Sequence, residues 1–129
     1  MARAASVHPD LEDPMVALAA LGGPEIAYLA GVALGAAEAD SLLVIDGLVT
    51  GAAAVVAVAV EPALAAHLVA GQESREQAHR AVNTHLGLEP LLSLRLRSGE
   101  GVGALLAVQL LQTAVALRAQ SGRVEEGTR

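Results

Sequence analysis

The stretch LLVIDG, residues 42–47, decides the fold class of this 129-residue chain. An uninterrupted run of apolar, strand-forming residues closed by Asp46 and Gly47 is typical of a parallel strand covered on both faces. A parallel neighbour can be reached only through a crossover connection, usually a helix. The stretch therefore predicts an α/β fold in which Ala-rich helices pack against a parallel sheet.

Helical patterns flank this strand on both sides. Asp13 as N-cap and Pro14 in the first turn predict a helix start, and Gly87 predicts a helix end. The helices are expected over residues 14–21, 24–37, 49–60, 63–69, 75–86 and 102–119, although alternation in residues 54–60 also fits a strand. Residues 88–96 predict a second strand. Two strands alone make an unstable parallel sheet, so a Rossmann-like half of a larger domain is expected.

The composition excludes several function classes. Hydrophobic residues make up 53% of the chain, but Tyr28 is its single aromatic residue, so the core must consist of Ala, Val and Leu. The net charge of −6 argues against nucleic-acid binding. Without Lys or Cys, the chain has no Schiff-base lysine, disulfide or thiolate nucleophile. The apolar residues 42–60 contain Asp46, Gly47 and Gly51, and their uninterrupted apolar part falls short of the roughly 20 residues that a membrane span needs. A cytoplasmic protein without a signal peptide or membrane segment is therefore expected.

The passage SGEGVGA, residues 98–104, is the strongest local signal for a site. Gly99 and Gly101 allow a sharp turn and a close approach of the backbone to a ligand, and a helix begins there. Glu100 then lies at the carboxyl edge of a parallel sheet, where α/β proteins bind ligands, and Asp46 ends the first strand at the same edge. A glycine-rich connector with a solvated Glu100 and a plain turn at Asp46 remain alternatives. The passage also partly matches a dinucleotide-binding turn, but no acidic residue ends a following strand.

The histidines do not predict a metal site. His79 and His85 lie six positions apart on one predicted helix, which places them on different faces. No carboxylate cluster accompanies them, and His67 lies elsewhere.

Five segments in order resemble the C-terminal part of nicotinate-nucleotide–dimethylbenzimidazole phosphoribosyltransferase. They are LGGPEIA (21–27), VIDGLV (44–49), SREQAH (74–79), LGLEPLL (86–92) and GEGVGA (99–104). The resemblance implies that residues 14–119 are a C-terminal segment of that domain. Residues 1–13 are then an irregular lead-in and residues 120–129 a polar tail.

Members of this family transfer phosphoribose from nicotinate mononucleotide to 5,6-dimethylbenzimidazole, giving α-ribazole 5′-phosphate and nicotinate. The resemblance implies that Glu100 is the general base that accepts the benzimidazole proton. It implies that Ser74 helps to hold the substrate phosphate, and that Asp46 faces the substrate together with Gly99 and Gly101. No metal or other cofactor is implied. One departure concerns the loop after Ser74, which usually reads Ser-Ala-Glu-Pro-Gly-His in the family and here reads SREQAH.

The resemblance further implies that the N-terminal portion of the family supplies the benzimidazole pocket, a second carboxylate and a phosphate-binding lysine. We therefore expect the chain to be inactive alone and to associate with such an N-terminal half or as a homodimer. A non-catalytic binding or interaction module that keeps the same scaffold is the second hypothesis. A dinucleotide-binding fragment is the third.

Overall fold

The computed structural model describes residues 6–8, 10–96 and 98–121. Much of the predicted lead-in (residues 1–5 and 9) and tail (residues 122–129) therefore lies outside the described residues. The elements in chain order are α1 (Pro14–Leu21), α2 (Pro24–Glu38), β1 (Leu43–Ile45), α3 (Leu48–Val60), a 3₁₀ helix (Pro62–His67), β2 (Leu68–Ala70), α4 (Gln77–Leu86) and α5 (Val102–Gln120).

The helix boundaries follow the local signals closely. Asp13 Oδ1 accepts the N–H groups of Met15 at 2.7 Å and Val16 at 3.2 Å, so it is the N-cap of α1. Gly87 ends α4 in the left-handed conformation with φ 67°. The α3 segment is a helix and not the alternative strand. These three features depend on neighbouring residues, which is why the sequence predicts them.

The sheet is parallel and two-stranded, as expected, but its second strand was wrongly placed. β1 pairs with β2 in the register Leu43 to Leu68, Val44 to Val69 and Ile45 to Ala70. The helix predicted over residues 63–69 is thus a 3₁₀ helix followed by a strand. Pairing with β1 overrides the local helix preference of this Ala- and Leu-containing segment.

The strand predicted over residues 88–96 is wrong. Only Leu92 forms a bridge there, in parallel with Gln72. Pro90 has no N–H to donate to a ladder, and Arg95 has φ 54°, outside the extended region. The segment therefore touches the sheet over two residues, where Leu91 N–H donates to Ala70 O at 2.9 Å and Leu92 N–H donates to Gly71 O at 3.1 Å.

The core consists mainly of alanine with some leucine; of the predicted Ala, Val and Leu, the valines that pack against it are only partly buried. Its buried residues come from α2, α3 and the two strands with the 3₁₀ helix, and they are Ala30, Ala33, Ala53, Ala54, Ala57, Ile45, Leu64, Leu68 and Ala70. Small side chains allow α2 and α3 to approach closely, but each buries little apolar area. A core of this kind benefits from further apolar contacts.

Helix α5 packs against β1 yet leaves most of its apolar surface uncovered. Leu105 is 65% exposed, Val115 68% and Leu117 64%. By length and composition α5 could cross a membrane, which is weak evidence because helices in other settings pass the same test. The apolar residues 42–60 form β1 and the shorter helix α3.

Candidate active site

A cleft of about 120 Å³ opens where the chain leaves the carboxyl ends of the two strands. Three predicted site residues, Asp46, Ser74 and Gly99, line it. Glu100 and Gly101 belong to the turn beside Gly99 but do not line the cleft, and Glu100 is exposed to solvent. The other lining residues are Gly47, Leu48, Val49, Thr50, Gln72, Glu76 and Leu96.

Asp46 joins the first strand to the start of α5. Its side chain is 5% exposed, and Oδ1 accepts the backbone N–H of Ala104 at 3.0 Å across 58 residues of sequence. Gly101 is the residue before the first turn of α5, and it carries no side chain that could cap the helix. Asp46 supplies the missing acceptor and a negative charge at the positive end of the helix. It thereby holds the glycine-rich turn beside the cleft.

Replacement of Asp46 by Ala is expected to lower the free energy of unfolding by about 0.5–2 kcal/mol, because the partly buried Ala104 N–H loses its acceptor. Asp46→Asn keeps an oxygen acceptor and should lose only about 0.3–1 kcal/mol through the missing charge. Urea unfolding of the three proteins measures both effects. Equal stability of Asp46→Ala and the unsubstituted chain would show that Asp46 has no capping role.

The first turn of α3 forms another wall of the cleft. Thr50 Oγ1 accepts the N–H groups of Asp46 and Gly47, each at 3.0 Å, and lies 3.0 Å from the Gly47 carbonyl oxygen, to which it donates. These bonds fix the turn that leads from β1 into the helix. Leu48 and Val49 line the cleft, and N–H groups in a first helical turn have no intrahelical acceptor. This wall can therefore bind an anion.

The turn before α5 requires the two glycines that the sequence analysis singled out. Gly99 has φ 64° and Gly101 has φ 77°, in the left-handed region that favours glycine. Glu100 lies between them, immediately before the start of α5. Asp46 fixes the helix that follows the turn.

Ser74 begins a short loop, residues 74–76, that we call the Ser74 loop. Ser74 and Glu76 line the cleft. Ser74 Oγ accepts the N–H of Glu76 at 3.3 Å, which leaves the hydroxyl proton free for another acceptor, and Ser74 N–H donates to His79 Nδ1 at 3.1 Å. The altered sequence of this loop is thus compatible with a compact turn beside the cleft.

Sequence reasoning missed the other side chains that line the cleft, among them Thr50 and Gln72. Gln72 is 2% exposed, and its Oε1 has no hydrogen-bond partner among the described residues. A Cβ placed on Gly103 would clash with Gln72 Cγ, so the glutamine packs over the first turn of α5. The hydroxyl three residues after Gly47 was a usable signal for Thr50. No local pattern pointed to Gln72.

Among the described residues that line the cleft, Asp46 and Glu76 carry carboxylates and none carries a positive side chain. Within the described part of the chain, no group of three or more His, Asp or Glu side chains is arranged to hold a metal ion. The cleft therefore offers hydrogen-bond donors and a helix N-terminus, but no positive side chain of its own.

Comparison with known proteins identifies the family. The family model described as Phosphoribosyltransferase matches residues 1–128. The chain belongs to this phosphoribosyltransferase family. The resemblance inferred from the five sequence segments is thereby confirmed, and the α/β fold class with it.

Curated relatives of the phosphoribosyltransferase bear the name nicotinate-nucleotide–dimethylbenzimidazole phosphoribosyltransferase. The Chloroflexus aurantiacus (strain J-10-fl) protein is 49% identical over 106 residues, which are 82% of this chain and 30% of the relative. The Desulforudis audaxviator protein is 45% identical over 118 residues, or 92% and 33% of the two chains. A crystal structure of the enzyme from Thermus thermophilus matches with a TM-score of 0.88 and 42% identity, covering 99% of this chain and 39% of that one. The chain spans about a third of the length of these curated relatives.

Proposed function

We propose that this phosphoribosyltransferase chain forms part of the active site of an enzyme that transfers phosphoribose from nicotinate mononucleotide to 5,6-dimethylbenzimidazole. The products are α-ribazole 5′-phosphate and nicotinate. The observation that carries the proposal is the meeting of Asp46, Ser74 and Gly99 in one cleft at the carboxyl ends of two parallel strands. Ligands of open α/β sheets bind at this edge. The names of the relatives supply the substrate class.

In this proposal the phosphate of nicotinate mononucleotide lies between the first turn of α3 and the Ser74 loop. The N–H groups of Leu48 and Val49 and the Ser74 hydroxyl are suitable donors. Because the described lining contains two carboxylates and no cation, a phosphate dianion there needs a positive group from outside this lining. That need agrees with the phosphate-binding lysine that the family places in its N-terminal portion.

Glu100 is the proposed general base. As the bond forms between ribose C1′ and a benzimidazole nitrogen, nicotinate leaves with the electron pair of the broken C1′–N bond. The carboxylate takes the proton from the other benzimidazole nitrogen, so the product does not carry a positive charge. Gly99 lines the cleft, so Glu100 lies next to it, and the exposed side chain of Glu100 is accessible to a substrate.

The remaining walls of the site come, we infer, from another polypeptide surface. A cleft of about 120 Å³ is smaller than the roughly 300–1,000 Å³ of typical ligand pockets. The uncovered apolar residues of α5, such as Leu105 and Val115, form a surface that a partner would bury. The proposed partner is an N-terminal half equivalent to the rest of the relatives, or a second copy. A cytoplasmic location is part of the same proposal.

Calorimetry with nicotinate mononucleotide tests this function on a chimera in which this chain replaces the matching segment of the Chloroflexus aurantiacus relative, so that the remaining walls and a positive group are supplied. We expect Ser74→Ala to weaken binding about 10- to 100-fold, because a hydrogen bond to a charged phosphate is lost. Ser93→Ala is the control, since Ser93 is exposed and does not line the cleft. Binding should survive Glu100→Gln.

Three outcomes separate the alternatives. Binding that falls with Ser74→Ala but not with Ser93→Ala supports the phosphoribosyltransferase site. Absence of binding, together with concentration-dependent association in sedimentation, would favour a non-catalytic interaction module. Binding of NAD in preference to nicotinate mononucleotide would favour a dinucleotide-binding fragment.

A further inference from the structure

His79 lies beneath the Ser74 loop and has no role in the mechanism described so far. It belongs to the first turn of α4 and is 0% exposed. Its Nδ1 accepts the backbone N–H of Ser74 at 3.1 Å. A nitrogen that accepts a hydrogen bond carries no proton, so His79 is neutral with its proton on Nε2.

The imidazole ring connects the Ser74 loop to α3. A Cβ on Gly51 would lie 3.7 Å from His79 Cδ2, which places the ring against the second turn of that helix. The backbone N–H of His79 also donates to Glu76 O at 3.0 Å, which connects the last residue of the Ser74 loop to α4. The ring therefore contacts both elements that are proposed to bind the phosphate, the Ser74 loop and α3.

We propose that His79 is a positioning residue that holds the Ser74 loop in its binding conformation, and that protonation of His79 releases the loop and weakens the binding of nicotinate mononucleotide. The inference rests on the proposed function. In the imidazolium both ring nitrogens carry protons, so Nδ1–H would face Ser74 N–H and the hydrogen bond would be lost. The loop would then move relative to the first turn of α3.

Burial and the neighbouring charged groups shift the pKa of His79 in opposite directions. Burial lowers the pKa of His79, and this effect is the largest, while Asp46 at the end of β1 and Glu76 and Glu73 before α4 raise it. Arg80 on α4 pairs with Glu73 at 3.8 Å, and the contact from α3 is Gly51, which has no ionisable group. With the folded-state pKa below the ordinary value of about 6.5, the neutral ring predominates at neutral pH. As the pH falls below about 6.5 the unfolded chain takes up the proton first, so stability is lost down to the folded-state pKa.

Two substitutions of His79 distinguish the role of its Nδ1 acceptor from the role of its volume. His79→Asn keeps an oxygen near the position of Nδ1, does not titrate, and lacks the Nε2–H, which has no partner among the described residues. His79→Leu fills similar space without an acceptor. His85→Asn is the matched control, because His85 is an exposed histidine in the last turn of the same helix.

Nitrogen-15 NMR of the whole chain without ligand tests the contact itself. As the pH is lowered from about 8 through the range in which the chain stays folded, the Ser74 amide shift should follow the titration of His79 in the unsubstituted chain and in His85→Asn, and should stay flat in His79→Asn. Calorimetry of the chimera with nicotinate mononucleotide over the same range tests the consequence. We expect affinity to fall at low pH more steeply in the unsubstituted chain than in His79→Asn; titration of the ligand phosphate affects both proteins equally. His79→Leu should bind about tenfold more weakly at neutral pH.

The possible failures are distinguishable. If nicotinate mononucleotide binds but the Ser74 amide does not follow His79, or if His79→Asn keeps the unsubstituted pH profile, the inference is overturned and the proposed function stands. If the amide follows His79 but no variant binds the nucleotide, the ligand-binding part of the inference falls together with the proposed function.

Discussion

Replacement of Glu100 by Gln lowers the rate of α-ribazole 5′-phosphate formation about 10²- to 10⁴-fold, the usual contribution of a general base. The measurement uses a chimera in which this chain replaces the matching segment of the Chloroflexus aurantiacus relative, so that the rest of the active site is supplied. Gln has nearly the shape of Glu but cannot accept the benzimidazole proton. Because Glu100 does not line the cleft, the affinity for nicotinate mononucleotide should change by no more than about threefold.

Glu89→Gln is the control for this experiment, since Glu89 is an exposed carboxylate outside the cleft lining. The chain assayed alone should form no product, because Glu100 then lacks the groups that position the substrates. A Glu100→Gln chimera that turns over at the parent rate would remove Glu100 from the mechanism. Robust turnover by the chain alone would remove the requirement for a partner.

Replacement of Gly71 by Ala lowers the free energy of unfolding by about 1–3 kcal/mol, as expected for overpacking between rigid elements. A Cβ at this position would lie 3.0 Å from Ala104 Cα and 3.0 Å from the Ile45 carbonyl oxygen. Both neighbours are backbone atoms, one at the start of α5 and one at the end of β1, so neither can rotate away. Urea or thermal unfolding measures the loss.

Gly35→Ala is the matched control for Gly71→Ala. Gly35 lies inside α2, where an added Cβ would meet nothing within 4 Å. There the substitution should raise stability by about 0.5–1 kcal/mol, because Ala loses less conformational freedom in a helix than Gly does. Equal effects of the two substitutions would mean that α5 does not approach β2 as closely as the structure shows.

The sequence determined the features that depend on near neighbours. The Asp13 cap, the left-handed Gly87 and the LLVIDG strand each follow from a few adjacent residues. The alanine-rich core follows from composition, because no larger aromatic side chains are present to fill it. The family could also be inferred, since its five segments occur in order and the family model matches residues 1–128.

Only the tertiary structure decided which segments meet. Strand β2 was predicted as helix because its pairing with Leu43–Ile45 is remote in sequence, and backbone hydrogen bonds to β1 outweigh local propensity there. Asp46 was recognisable as a residue at the sheet edge, but its bond to Ala104 spans 58 positions that no local pattern connects. The same holds for Gln72 over Gly103 and for His79 against α3. The sequence thus determined the parts of the cleft, and long-range packing decided which of them hold each other in place.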